Sequence, residues 1–370
     1  MRITRLASAF FAVCCLLWAC GMGAERAGQN GAAVNANSQR GEAQAREQQE
    51  KKPRAAVDTN KFAIIIAGVG GEEAYTKKFT SQAGQLFDAL TMRLGFDEKN
   101  VSLFTENVNG GPENGGRDTE RPAARRATAE EVRKAFDSIK SSAKADSLVL
   151  VVLIGHGSSD TQEVKFNIVG PDLTAKDYAR LVSELPTRRV VFVNCASSSG
   201  DFVKPLSAAN RVVITATRSG SEQNATTFAE HFIAALTDDG ADADKNGRVS
   251  VFEAFTYASK LTADWYKQKS RLATEHSLID DNGDGVGHEE AAGGEGGLAK
   301  ALYLDSKTIE QAGNDAEVAR LMRERERLEE AVQKLKARKA EMKQEDYDKE
   351  LEDLLVELAT VNQSIKARRK

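Results

Sequence analysis

Branched apolar runs recur along the middle of the chain and alternate with segments in which apolar residues have helical spacing. The apolar runs cover residues 62–68, 101–104, 148–154, 190–193 and 211–216. The helical segments between them cover residues 78–94, 128–139 and 176–185. Continuous apolar runs of this length are typical of strands that are buried on both faces. The alternation therefore predicts an α/β fold with an open, mostly parallel sheet and helices on both of its faces.

The amino-terminal part of the chain departs from this pattern. Residues 7–19 form an apolar run that follows two arginines and is too short to span a bilayer, which predicts a signal peptide over residues 1–20. Residues 21–60 are polar and have no apolar period. Such a composition cannot bury a face, so it predicts a disordered linker before a body at residues 61–304.

The composition changes again after residue 304, to Glu, Lys, Arg, Ala and Leu. Apolar residues then follow a 4-3 alternation, which predicts a helical coiled-coil region over residues 305–370. Two helices joined near residues 344–346 could fold back as a hairpin, pair between chains in self-association, or pack on the body as an appendage. The sequence leaves these three alternatives open.

Cysteine content and charge bear on the compartment and the partners. Of the four cysteines, Cys14, Cys15 and Cys20 lie in or at the edge of the leader. The segment Leu17-Trp18-Ala19-Cys20 resembles a bacterial lipobox, in which Cys20 would be lipidated and would anchor the protein to a membrane; cleavage after Ala24 is the alternative. Both alternatives predict an exported protein that is periplasmic, secreted or an outer-surface lipoprotein. The formal net charge of −4 gives no indication of nucleic-acid binding.

Cys195 is the only thiol of the predicted body, and it directly follows an apolar run. His156 follows another such run in the segment Ile154-Gly155-His156-Gly157. Because the carboxyl ends of parallel strands form the ligand-binding edge of an open sheet, we expect both side chains at one edge. An imidazole beside a thiol can serve acyl transfer, and the N–H groups of Cys195 and Gly157 could stabilise an oxyanion. The alternative is a buried core thiol and a hydrogen-bonded histidine at a strand end.

This ordered set of motifs resembles the legumain-like cysteine peptidases, relatives of the caspases, and in particular their bacterial members. The resemblance covers residues 61–257 and includes Ala67-Gly68-Val69-Gly70-Gly71, the His-Gly pair, the strand before Cys195, and residues 214–220. It implies a three-layer α/β/α caspase-like sandwich and endopeptidase activity on a peptide or protein substrate. The catalytic residues would be Cys195, His156 and Gly157, with the histidine acting mainly on the leaving group.

The resemblance also bears on substrate binding, for which the expected residues are Tyr75, Thr217, Arg218 and Ser219. The animal and plant enzymes usually have a Glu after the nucleophile and an Arg beside the first-strand loop, where this chain has Ala196 and Thr76. Asparagine specificity is therefore not transferred. Arg218 could line the primary pocket and favour acidic residues, or it could be an ordinary surface arginine. The glycines after the first strand lack the spacing of a dinucleotide loop, so no organic cofactor is expected.

A calcium site is predicted by residues 242–253, which match an EF-hand loop. The ligand positions carry Asp242, Asp244, Asn246, Arg248, Ser250 and Glu253, with Gly247 at the sixth place. Helical spacing on both sides, at residues 227–236 and 251–266, agrees with this interpretation. A polar loop between two helices is the alternative.

A second acidic stretch at residues 280–290 begins like an EF-hand loop but has Gly287 at the eighth place and no acid at the twelfth. Calcium binding in another geometry and a glycine-rich turn both fit this stretch. A rival to the peptidase is a catalytically inactive, calcium-binding scaffold that keeps the caspase-like fold and assembles through the carboxyl-terminal helices. The peptidase interpretation requires both groups at one solvent-facing edge, so burial of Cys195 or His156, or placement of the two on opposite sides, would favour that rival.

Overall fold

The structure is a computed structural model that describes residues 54–107, 123–160, 163–290, 295–308, 315–339 and 342–368. The predicted signal peptide, Cys20 and most of the predicted linker lie outside the described residues. The compact body begins earlier than the predicted boundary at residue 61. The N–H of Ala55 donates to the carbonyl of Met92 at 3.0 Å, and that of Asp58 donates to the carbonyl of Gly95 at 2.7 Å.

Ten strands form two sheets among the residues that the structure describes. They are β1 (Lys61–Ala67), β2 (Val101–Thr105), β3 (Arg125–Arg126), β4 (Leu148–Ile154), β5 (Gly157–Ser159), β6 (Val164–Phe166), β7 (Leu173–Thr174), β8 (Arg189–Asn194), β9 (Arg211–Thr215) and β10 (Leu278–Asp280). Seven of them make the central sheet in the order β10-β9-β8-β4-β1-β2-β3, and β5, β6 and β7 make a small antiparallel sheet. In the central sheet only β10 runs antiparallel to its neighbour.

Nine helices, excluding short 3-10 and π turns, are assigned in the described part of the chain. They are α1 (Glu73–Asp88), α2 (Ala129–Ser142), α3 (Ala175–Ser183), α4 (Val203–Leu206), α5 (Phe228–Ala235), α6 (Val251–Gln268), α7 (Gly297–Ala301), α8 (Ala316–Ala337) and α9 (Gln344–Arg368). None of them is long and apolar enough to cross a membrane.

Both faces of the central sheet are covered, which explains the uninterrupted apolar strands. All seven residues of β1 and of β4 are buried. Alternate residues of these strands belong to two different cores, one shared with α1, α5 and α6 and the other with α2, α3 and α4. The predicted α/β architecture with a mostly parallel sheet is therefore confirmed.

The carboxyl-terminal helices α8 and α9 fold back on each other as a hairpin. Met322 of α8 packs in one cluster with Ile365 of α9, and Arg368 lies 3.4 Å from Asp315 at the open end of the hairpin. Helix α8 also packs on the body, where the buried Glu330 forms an ion pair with Arg189 at 2.8 Å. The hairpin and the appendage are thus both present, and pairing between chains stays a prediction.

The hairpin packs at the edge of the sheet opposite to the carboxyl ends of the strands. Arg189 is the first residue of β8. Lys61, the first residue of β1, is buried and its ammonium donates to the carbonyls of Leu94 at 2.6 Å and Leu304 at 2.9 Å. The carboxyl-terminal region therefore leaves the candidate catalytic edge free.

Candidate active site and calcium loop

The neighbouring strands β4 and β8 place His156 and Cys195 at one edge of the central sheet. The two strands pair in parallel with Leu153 opposite Asn194. The N–H of Cys195 continues this ladder and donates to the carbonyl of Leu153 at 2.8 Å. In this register Cys195 follows on opposite Ile154, and His156 comes two residues after the end of β4, so the imidazole lies two residues beyond the thiol at the same edge of the sheet.

The two side chains also lie on the same face of the sheet. Cys195 belongs to the apolar core that contains Phe79 of α1. The ring of Phe79 meets the imidazole of His156 edge-on, with 5.0 Å between ring centroids, and Tyr75 meets it in the same way at 4.9 Å. Tyr75, which we expected to bind substrate, therefore fixes the plane of the imidazole.

The surroundings of His156 favour the neutral ring. Burial lowers the pKa of His156, and the ammonium of Lys78 lowers it further, while a hydrogen bond with the Gly70 backbone and the charge of Glu72 oppose the shift. The unperturbed imidazole pKa is about 6.5, so this ring is neutral at physiological pH. A neutral imidazole can accept the proton of a thiol.

The thiol of Cys195 is closed off from solvent, with an exposed fraction of 1%. Burial strongly raises the pKa of Cys195, and the carboxylate of Glu275 raises it further. The hydroxyl of Thr226 donates to the backbone carbonyl of Cys195 at 2.5 Å. The sulfur is therefore protonated at neutral pH, whereas a nucleophilic cysteine needs its thiolate.

Glu275 is a site residue that the sequence did not reveal. It is buried at the start of α5, where its carboxylate accepts the N–H groups of Thr227 at 2.8 Å and Phe228 at 3.2 Å. Burial raises the pKa of Glu275 despite these hydrogen bonds. Glu275 lies eighty residues after Cys195 in a segment without an apolar period, so no pattern in the sequence connected the two.

The two N–H groups proposed for an oxyanion have other partners. That of Cys195 is used by the strand ladder, so it is not available to a substrate and this part of the prediction is corrected. That of Gly157 donates to the hydroxyl of Ser197 at 3.2 Å. A methyl group at Gly157 would lie 2.4 Å from the carbonyl oxygen of Ser197, so the loop after Cys195 packs directly on this glycine.

Thr217 and Ser219 support the loop after Cys195. Thr217 is fully buried, accepts the N–H of Gly200 at 3.0 Å and pairs with the hydroxyl of Ser199 at 3.1 Å. Ser219 pairs with the hydroxyl of Ser221 at 2.7 Å. The structure therefore gives Thr217 a supporting position in place of the substrate contact expected from the sequence.

Arg218 lies at a cavity of about 660 Å³ beside the loop that follows Cys195. Its guanidinium is 3.6 Å from the carboxylate of Glu222 and 3.4 Å from that of Glu289. Gly200, Asp201, Lys204 and Glu289 also line the cavity. Because two carboxylates already face Arg218, an acidic substrate residue would have to displace one of them.

The predicted calcium loop brings three carboxylates together. One oxygen from each of Asp242, Asp244 and Glu253 lies within 4.8 Å of the others. Gly247 has a φ of +84° and donates its N–H to Asp242 at 2.9 Å, which closes the loop at the sixth position. Glu253 folds back over the loop because its Oε1 accepts the N–H of Ala243 at 2.9 Å. This set of hard oxygen donors fits Ca²⁺.

The other three predicted ligands differ in which oxygen atom could bind a cation. Asn246 Oδ1 accepts the N–H of Arg248 at 2.8 Å within the loop. Ser250 caps α6, and its hydroxyl donates to Glu253 at 2.8 Å. The guanidinium of Arg248 points to Asp305 and Glu326, so only its backbone carbonyl is left to bind a cation.

Comparisons with known proteins add little to this geometry. No family model and no curated protein matches the sequence. The solved structures that are similar include the crystal structure of protein GSU0716 from Geobacter sulfurreducens, at 10% sequence identity and a TM-score of 0.36, over 60% of this chain and 92% of that chain. A likeness of this size carries no argument about function.

Proposed function

We propose that the chain is an exported, legumain-like cysteine endopeptidase with a caspase-like fold, in which Cys195 is the nucleophile and His156 the acid and base. The observation that carries the proposal is the pairing of β4 with β8, which places both groups at adjacent strand ends on one face of the sheet. The resemblance in motifs supports the same assignment. Peptides or proteins would be the substrates.

The reaction divides between the two groups. The sulfur of Cys195 attacks the peptide carbonyl and its proton passes to the neutral ring of His156. The protonated ring then donates that proton to the leaving amine, and water hydrolyses the thioester. The thiol is buried and protonated in the structure, so this reaction requires a rearrangement that exposes the sulfur of Cys195 to a substrate.

A second candidate is a catalytically inactive scaffold stabilised by calcium. It is favoured by the exposed fraction of 1% at Cys195 and by the commitment of its N–H to the strand ladder. Under this proposal the thiol is a core residue, and the surface of the carboxyl-terminal hairpin is used for assembly. Burial of Cys195 is an outcome that the sequence analysis set against the peptidase, whereas the position of both groups on one face of the sheet supports the peptidase.

Labelling of the full chain with a thiol-directed peptide electrophile separates the two candidates, with mass spectrometry used to locate the label. The peptidase predicts labelling at Cys195 that is lost in Cys195→Ala and greatly slowed in His156→Ala. His231→Ala is a matched control, because His231 is another half-buried histidine whose pKa is lowered by burial. Labelling of Cys195 that is equally fast in His156→Ala, or that requires unfolding in urea, would assign the scaffold.

We further propose that residues 242–253 bind Ca²⁺ as a structural brace, which an exported protein could load outside the cell. Glu253→Gln tests this proposal because glutamine can keep the hydrogen bonds of the helix cap while it removes the charge. Calorimetry should show weaker Ca²⁺ binding in this variant. The control is Glu230→Gln, an exposed residue of α5. Unchanged binding in Glu253→Gln would move the calcium site elsewhere.

A further inference from the structure

A second group of carboxylates lies at the end of β10, outside both the catalytic edge and the first calcium loop. One oxygen from each of Asp280, Asp284 and Glu295 lies within 4.8 Å of the others. Asp280 and Glu295 are buried, whereas Asp284 is exposed. Glu295 follows Asp280 by fifteen residues and is outside the acidic stretch that the sequence singled out.

The loop that begins at Asp280 repeats the turns of the first calcium loop. In both loops the first residue accepts the N–H of the sixth: Asp242 from Gly247 at 2.9 Å, and Asp280 from Gly285 at 3.2 Å. The third residue accepts the N–H of the fifth, and the fifth accepts that of the seventh, in both cases. The two loops thus share one backbone geometry, although only the first has an acid at the twelfth place.

The surroundings of Glu295 are a second observation, independent of the loop turns, that points to a bound cation. Its side chain is fully buried, and its Oε1 has no hydrogen-bond partner among the residues that the structure describes. The other oxygen accepts the N–H of Asp281 at 2.6 Å. Nδ1 of His288 is 3.5 Å from Oε1 but makes no hydrogen bond with it. A buried, ionised carboxylate with one oxygen lacking a donor, beside two more carboxylates, is unfavourable, and either protonation or a bound cation relieves the repulsion.

We propose that Asp280, Asp284 and Glu295 form a second Ca²⁺ site, in which Glu295 takes the place of the absent acid at the twelfth position. The ligand set consists of carboxylate oxygens, and a loop supplies two of them, which suits the variable coordination of Ca²⁺. The proposal is independent of catalysis and of the first calcium loop.

The proposed site lies between the cavity that contains Arg218 and the start of α7. Residues 285–289 continue directly from the loop and line the cavity of about 660 Å³ that contains Arg218. On the other side of the site, Asp281 accepts the N–H groups of Gly296 at 2.8 Å and Ala299 at 2.6 Å and so holds the start of α7. A cation that joins Asp280 to Glu295 therefore fixes one wall of this cavity to the body.

Calorimetric titration of the purified, metal-free full chain with Ca²⁺ tests the second site. We expect two equivalents for the unmodified chain and one for Asp284→Ala, which removes the ligand oxygens at an exposed position. Asparagine is not used here because Asn246 is itself the predicted ligand at the fifth place of the first loop. Glu290→Ala is the matched control, because Glu290 is an exposed acid of the same segment outside the cluster, and it should retain two equivalents. Two equivalents in Asp284→Ala would overturn the proposal.

The titration also separates this proposal from that of the first loop. A single equivalent that disappears in Glu253→Gln would leave only the first loop, and a single equivalent that disappears in Asp284→Ala would leave only the second site. Glu295→Gln adds a readout that does not depend on stoichiometry. Without Ca²⁺ its melting temperature should equal or exceed that of the unmodified chain, and its rise on addition of Ca²⁺ should be smaller. An equal rise in both chains would contradict the role of Glu295.

Discussion

Arg248 joins the proposed calcium loop to the carboxyl-terminal region, and its replacement by methionine should destabilise the fold without abolishing the proposed calcium binding. Its guanidinium donates to Asp305 at 2.8 and 3.0 Å and to Glu326 at 3.0 Å. It also covers the ring of Tyr303, 3.9 Å from the centroid. The side chain of Arg248 is only 16% exposed, and those of Asp305 and Glu326 are 11% and 12% exposed. The ion pairs are therefore largely shielded from water.

The expected decrease in the free energy of unfolding follows from the two buried carboxylates, Asp305 and Glu326, that Arg248→Met leaves without their arginine. Removal of one partner from a buried ion pair costs about 3 to 5 kcal/mol because the other charge remains uncompensated. Two groups reduce this cost here: the hydroxyl of Thr308 hydrogen-bonds to Glu326, and the ammonium of Lys61 interacts with both carboxylates. We therefore expect the lower end, about 3 kcal/mol in the free energy of unfolding.

Urea unfolding followed by circular dichroism measures this loss, with Arg320→Met as the control. Arg320 is 59% exposed and pairs with Glu317 on the surface of α8, so its replacement should cost about 1 kcal/mol or less. Calcium binding to the loop should persist in Arg248→Met because the seventh position binds through its backbone carbonyl. A decrease in the free energy of unfolding no larger than that of Arg320→Met would refute the stabilising role of the buried ion pairs. Loss of calcium binding with unchanged stability would refute the assignment of the Arg248 side chain to the fold and of its backbone carbonyl to calcium.

Three further predictions concern stability. Burial lowers the pKa of Lys61 to about 8, so the folded state holds fewer protons than the unfolded state between that pH and the ordinary lysine pKa. The free energy of unfolding should therefore rise with pH in this window, by at most about 1.4 kcal/mol per pH unit, relative to Lys61→Met in parallel urea titrations. Glu330→Ala should cost about 3 kcal/mol because it leaves Arg189 without its buried partner, and limited trypsin digestion should then release the hairpin faster. Gly157→Ala should lower the melting temperature, with a cost of about 1 to 3 kcal/mol, because its methyl group would overlap the carbonyl of Ser197; an unchanged melting temperature would contradict that contact.

The central strands and the turns of the calcium loop could be predicted because both depend on residues close together in the chain. A strand that is buried on both faces needs an unbroken apolar run, as in β1 and β4, and any such run is visible in the sequence. The turns of residues 242–247 likewise depend on neighbouring Asp, Asn and Gly residues. The short strands β5, β6, β7 and β10 were missed because two or three residues carry no recognisable period.

The sequence by itself determined that His156 and Cys195 follow two buried strands, because strand ends are local features. Only the tertiary structure decided that the thiol is buried, that the charge of Glu275 acts on it, and that Glu295 joins the carboxylates of the second loop. It also showed that the carboxyl-terminal helices form a hairpin that packs on the body, which combines two of the three arrangements left open by the sequence. Apolar periodicity records which side of an element is buried, but it does not record which distant residue covers that side. The partner is chosen by packing among elements far apart along the chain.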